Sequence, residues 1–162
     1  AFDDTLHEGF LPCTENNFVR QGFRFLGDEY GWGGLADSVD CSSFVGDVYR
    51  SMGIELPRDA DQQAKAMANV IDLSGMGEAD RLAALESCVP GTLLANNTHV
   101  MMYLGQDDAG TPIVLQSMSS WFSFGSDYGK HYLRKVIAST ATFLNFSGVP
   151  YINGVHYLGS LR

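Results

Sequence analysis

The chain has 162 residues, a formal net charge of -9, and a hydrophobic fraction of 45% with 12% aromatics. That is the size and composition of one globular domain, and no apolar run approaches the roughly 18 to 20 residues a membrane-spanning helix needs. Ten Lys and Arg residues with no cluster among them, against 19 Asp and Glu, exclude a phosphate-binding face and with it nucleic acid as a partner.

The start, "AFDDTLHEGF", lacks a charged segment followed by an apolar one, so it reads as a mature or trimmed chain without a secretory signal. "TENNFVRQGFRFLG" has Thr14 as N-cap, apolar groups at Phe18, Phe25 and Leu26, and Gly27 as a stop, which predicts a first helix. The glycine-rich "YGWGG" is read as an irregular loop. A second helix is predicted from Cys41 to Met52, ending at Gly53, with Phe44, Val45, Val48 and Tyr49 at helical spacing. "LPRDADQQAKA" predicts a turn at Pro57, an N-cap at Asp59 and a short helix, and "RLAALES" one or two helical turns. From Val89 the period changes. "GTLLA", "HVMMYLG", "TPIVLQSM" and "KVIAST" read as strands, with "GQDDAGTP" as a hairpin connection. Helices first and strands later predict an α+β fold with an antiparallel sheet, and not a doubly wound parallel one.

The three cysteines, Cys13, Cys41 and Cys88, lack metal-ligand spacing, so no metal or cofactor is expected. Cys13 and Cys88 are compatible with one disulfide. Buried free cysteine is common, however, and two separate buried thiols are the expectation. Cys41 differs because it opens a helix, where unpaired N–H groups and the helix dipole favour thiolate. It is therefore expected to be the most reactive thiol. A cysteine beside an apolar helix face is also an ordinary core residue, so a partner is required.

His99 supplies one, since it stands at the start of a strand after the polar turn "NNT", where an imidazole can face a cleft as a base. His7, His131 and His156 lack such a setting and are set aside. On the next strand Gln116 lies in an apolar run, a place for an amide only if it bonds something or alternates outward to solvent. Nucleophile, base and polar orienter together make the thiol form of a catalytic triad.

The order of "LGDEYGWGG", "DCSSFVGDVYRSMGIELPRDADQQ" and "PGTLLANNTHVMMYLG" resembles the NlpC/P60 family of papain-like cysteine peptidases that cut bacterial cell-wall peptides. The resemblance implies a papain-like α+β domain over 14–162, with 1–13 a linker or the remnant of an upstream SH3-like domain. It implies Cys41 as nucleophile, His99 as base, and Gln116 where the third polar residue stands, commonly a His in that family. It also implies that Tyr30, Asp40, Ser42 and Arg58 bind the substrate's peptide end, with the Tyr30 hydroxyl beside the thiol as an aid to the oxyanion. Simpler assignments stand beside these: Asp40 and Ser42 as helix-capping and first-turn residues, Tyr30 and Trp32 as core aromatics, Arg58 as a surface ion-pair partner. Thr92 replaces an acidic residue in "PGTLL". The implied activity is hydrolysis of a γ-D-glutamyl–diamino acid bond in peptidoglycan stem peptides through an acyl-enzyme, at a periplasmic or extracellular location. An amidase or acyltransferase with the same triad and a wall-binding module without catalysis are the alternatives.

Overall fold

The computed structural model describes residues 8–162, so His7 and the first half of the 1–13 segment lie outside the described residues. From 8 to 13 the chain is irregular and runs back along the second helix. Leu11 N–H donates to the Ser51 carbonyl (3.0 Å), and the Phe10 ring covers Gly53.

The helices are α1 (Glu15–Arg24), α2 (Cys41–Arg50), α3 (Ala60–Lys65) and α4 (Glu78–Glu86). Their starts follow the sequence signals. Thr14 caps α1 by accepting from Asn17 N–H, and Asp40 and Ser43 cap α2 reciprocally, each side chain taking the other's backbone N–H. Asp59 sits at the N-cap of α3 but makes no side-chain cap bond. "RLAALES" belongs to a longer helix that begins at Glu78.

Six strands form one antiparallel sheet: β1 (Asn69–Asp72), β2 (Leu93–Ala95), β3 (Val100–Gln106), β4 (Pro112–Ser123), β5 (Gly129–Thr140) and β6 (Tyr157–Ser160), in the order β1-β6-β2-β3-β4-β5. Two of these carry no clear sequence signal. β1 and β6 are four residues each, and they become strands by pairing across most of the chain, Asn69 opposite Ser160. One strand therefore falls within the helical half. β4 and β5 also run beyond "TPIVLQSM" and "KVIAST", since "SSWFS" and "GKHYL" continue the hairpin to twelve residues a side.

The centre of the sheet, β2, most of β3 and the first part of β4, is buried on both faces, which explains why β3 reads as a continuous apolar run. On one face Leu93, Ala95, Val100, Met102 and Leu115 pack with Phe18, Phe44, Val45, Val48 and Ala64 of α1, α2 and α3. On the other, Leu94, Met101, Tyr103 and Val114 pack with Leu85 of α4 and with Ile152 in the 3-10 turn Tyr151–Gly154. The period of two sends alternate residues to opposite cores. Gln63, almost fully buried on α3, donates to the Ser42 and Pro57 carbonyls (2.9 Å each) and so ties α3 to the start of α2.

Cys13, Cys41 and Cys88 are all free thiols. The expectation of two separate buried thiols needs correction: Cys88 is half-buried beneath α4, whereas Cys13 is exposed just before the α1 cap.

Close packing of β6 on α3 generates a stability prediction. A Cβ at Gly159 would lie 2.3 Å from the Ala64 carbonyl oxygen and 2.8 Å from its Cα, both backbone atoms that have no room to yield. Gly159→Ala should lower unfolding stability by about 1–3 kcal/mol. Gly154→Ala, where a Cβ meets nothing within 4 Å, should stay within about 0.5 kcal/mol. Urea denaturation of the two variants makes the comparison.

Candidate active site

The loop before α2 is organised by the Asp40 carboxylate. Its Oδ1 accepts from Ser43 N–H (2.9 Å) and Ser42 Oγ–H (3.3 Å), its Oδ2 accepts from Gly33 N–H (3.0 Å), and Arg58 forms an ion pair with it. Arg58 also donates to Ser42 Oγ (2.5 Å). Burial alone would raise the Asp40 pKa, but the Ser43 N–H, the Arg58 guanidinium and the Gly33 N–H outweigh it and hold the carboxyl at about 2. The glycines have steric reasons. A Cβ at Gly31 would meet Ser38 Oγ at 1.8 Å, and Gly33 takes a left-handed φ of 71° while presenting its N–H to Asp40. Asp40 thus does serve as a capping residue, together with Ser43, and Arg58 as an ion-pair partner, while Ser42 is a first-turn residue bonded to both Asp40 and Arg58.

Trp32 is 77% exposed, so it is not a core aromatic. Tyr30 is half-buried and fixed by backbone bonds: its N–H donates to the Arg134 carbonyl (2.8 Å), and it bridges Val39 in parallel.

Cys41 is the first residue of α2, buried, with its sulfur against the backbone N–H of Val100, the residue after His99. Cys41, Tyr30, Thr98 and His99 line one cavity of about 260 Å³, so the proposed nucleophile and base meet in one cleft. His131 and His156 do not line it. His131 stacks on Trp121 and bonds the Asp127 carbonyl, and His156 packs beside Tyr157.

Gln116 is fully buried and does not face solvent. Its Oε1 accepts from His99 Nε2 (2.7 Å), and its Nε2 donates to Ser139 Oγ (2.7 Å), which itself donates to the Thr140 carbonyl (3.2 Å). The chain of donors and acceptors has one consistent direction. An amide oxygen only accepts, so His99 carries its proton on Nε2 and leaves Nδ1 with a lone pair for a thiol proton. The register accounts for Ser139: Gln116 pairs with Ile137 and Val114 with Ser139, which makes Gln116 and Ser139 diagonal neighbours on one face.

The electrostatic balance differs from the expectation drawn from helix position alone. Burial pushes the Cys41 thiol up, the Asp40 charge adds to it, and the N–H groups of Val100, Ser42 and Cys41 itself only partly offset them. Burial pushes His99 down, against the raising effect of Gln116. The resting pair is therefore a neutral thiol and a neutral imidazole, suited to proton transfer coupled to attack and not to a preformed ion pair. Tyr30 is held in its neutral, donating form by burial and by the Asp40 charge.

The cleft has two arms that share Tyr30, Trp32, Cys41 and Thr98. One, about 790 Å³, is lined by Asp40, Ser42, Arg58, Asp59, Asp61 and Asn97 and carries excess negative charge. The other extends past His99 along Met118, Trp121, Phe122, Phe143, Phe146 and Tyr151 and is uncharged. A register shift between Met118 and Ser120 bends β4 where it enters this aromatic arm. Sequence reasoning missed Ser139, Tyr151 and the aromatic wall. Ser139 had the same signal as Gln116, a polar residue inside the apolar strand "KVIAST". Tyr151 had none. Among the described residues no group of three or more His, Cys, Asp or Glu side chains is placed to hold a metal ion.

Two predictions follow from this geometry. Gln116→Ala should lower kcat by about 5- to 30-fold with KM nearly unchanged, since one hydrogen bond contributes on the order of 1 kcal/mol. Ser139→Ala, which leaves Gln116 in place but frees its amide to rotate, should cost less, about 2- to 5-fold. Steady-state kinetics on both variants test the order. For pH, His99 must be neutral to act as base, and burial lowers its pKa from the usual 6.5, so the acidic limb of kcat/KM should have its midpoint below 6.5. An acidic limb with its midpoint above 6.5 would contradict the assignment.

The sequence and the fold are similar to those of known proteins. Over 93 residues, 57% of this chain and 30% of the relative, the sequence is 34% identical to a gamma-D-glutamyl-L-lysine dipeptidyl-peptidase of Bacillus subtilis (strain 168). The aligned region thus spans under a third of that relative. Among solved structures, an NlpC/P60 endopeptidase from Photobacterium damselae subsp. piscicida superposes with a TM-score of 0.64 at 21% identity, covering 78% of this chain and 32% of that one. An NlpC/P60 family protein from Bacillus cereus ATCC 10987 gives 0.58 at 22% identity over 94% of this chain and 41% of that one. These likenesses identify the α+β arrangement as the papain-like cysteine peptidase fold. The model of the NlpC/P60 family matches residues 27–119, from the end of the first helix region through Gln116, and the chain belongs to that family.

Proposed function

We propose that this chain is a cysteine peptidase that hydrolyses the bond between γ-D-glutamate and a diamino acid in peptidoglycan stem peptides, acting outside the cytoplasmic membrane. The observation that carries the reading is the meeting of Cys41 and His99 in one cleft, with the imidazole held by a fully buried Gln116. Family membership supports a peptidoglycan hydrolase, and relatives from two Bacillus species named gamma-D-glutamyl-L-lysine dipeptidyl-peptidase support the bond.

In this mechanism His99 Nδ1 takes the thiol proton as Cys41 Sγ adds to the scissile carbonyl carbon. The oxyanion lies between the N–H groups at the start of α2 and the Tyr30 hydroxyl. Collapse breaks the C–N bond, and the leaving amine takes the proton from imidazolium. Water, deprotonated by the same imidazole, then cleaves the thioester and restores the thiol. The acidic arm suits the ammonium at the peptide's free end, with Asp40 ionised at every working pH and Ser42 and Arg58 shaping its approach.

Incubation with L-Ala-γ-D-Glu-L-Lys and with the corresponding diaminopimelate peptide, followed by mass spectrometry, tests the proposal. L-Ala-D-Glu and the free diamino acid should appear, and Cys41→Ala should abolish them. Binding without turnover would establish a wall-binding module instead, and transfer to an added amine would establish an acyltransferase.

A further inference from the structure

Tyr151 stands on the aromatic arm, on the His99 side of the thiol. Three contacts fix it. Its ring stacks on Phe143 (centroids 4.6 Å apart, planes at 19°), its plane stands across the His99 ring (5.9 Å, 81°), and its oxygen accepts from Asn96 Nδ2 (3.1 Å). The same Asn96 uses its Oδ1 to accept from the backbone N–H groups of Thr98 and His99 (2.9 Å each). One side chain thus sets both the position of the base and the orientation of the phenol.

Asn96 occupies a lone pair of the Tyr151 oxygen, not its proton. Among the described residues that O–H has no acceptor, although the phenol is half-buried. A donor held in this way at the wall of a cleft is available to whatever enters.

We propose that Tyr151 is a substrate-contacting residue whose hydroxyl donates to an acceptor oxygen, carbonyl or carboxylate, of the peptide lying on the His99 side of Cys41. This rests on the peptidase reading above. Burial raises the phenol's pKa against the lowering effect of Asn96, so the proton is retained at working pH. The role differs from that of Tyr30, which lines both arms. On this assignment the acidic arm holds the amine end of the peptide, and Tyr151 holds the part leaving with the diamino acid.

Tyr151→Phe removes the hydroxyl and keeps the stack on Phe143 and the contact with His99. With L-Ala-γ-D-Glu-L-Lys as substrate, its kcat/KM should fall about 5- to 20-fold. The melting temperature and the rate of Cys41 alkylation by iodoacetamide should match the parent's. A kcat/KM within twofold of the parent overturns the assignment, and so does an equal fall in alkylation rate, which would mean that the ring only positions His99. Binding has an independent readout, because Trp32 and Trp121 are the chain's two tryptophans and both line the cavity. In a Cys41→Ala background, titration with the same peptide should change tryptophan fluorescence, and adding Tyr151→Phe should weaken the apparent Kd. A parent that cleaves the peptide while Tyr151→Phe equals it overturns this inference alone. A parent that neither cleaves nor binds it overturns the peptidase reading and this inference together.

Discussion

The Asp40 carboxylate is the interaction on which the site depends. It caps α2 and thereby fixes where Cys41 begins the helix, it draws the glycine loop in through Gly33, and it is paired by Arg58 from the segment before α3. A single buried charge costs little while several donors satisfy it and much when it stays buried without them, so it binds three separate stretches of chain into one arrangement. Its charge also acts on the chemistry. It raises the Cys41 thiol, against the N–H groups of the helix terminus that lower it.

The second constraint comes from the sheet. His99, Gln116 and Ser139 come from β3's leading turn, β4 and β5, and the antiparallel register sets them in a row of side-chain hydrogen bonds. Gln116 is neutral, so it fixes the tautomer of His99 without adding a countercharge for imidazolium. Burial of His99 and the absence of such a charge act in the same direction, toward a base that is neutral at rest.

The two arms of the cleft differ in charge. Carboxylates dominate one side of the thiol and aromatic rings the other, with Tyr30 and Trp32 between. The aromatic arm depends on the extension of the β4–β5 hairpin and on the return of the chain at 143–151, which stacks Phe143 on Tyr151 and puts Tyr151 against His99.

The sequence by itself determined the elements whose signals are local. Thr14 and Asp40 cap helices because a short polar side chain reaches its own third N–H, and Gln116 stood out as an amide in an apolar strand. Local signals also marked Cys41 and His99, one by its helix start and one by its turn. Only the tertiary structure decided what depends on pairing between distant residues. β1 and β6 are strands because each finds the other across the fold. Ser139 joins the site through register, and Tyr151 through the return of a loop. The sign of the Cys41 shift also belongs to the fold, because burial and the Asp40 charge, which no helix position reveals, outweigh the N–H groups that lower it.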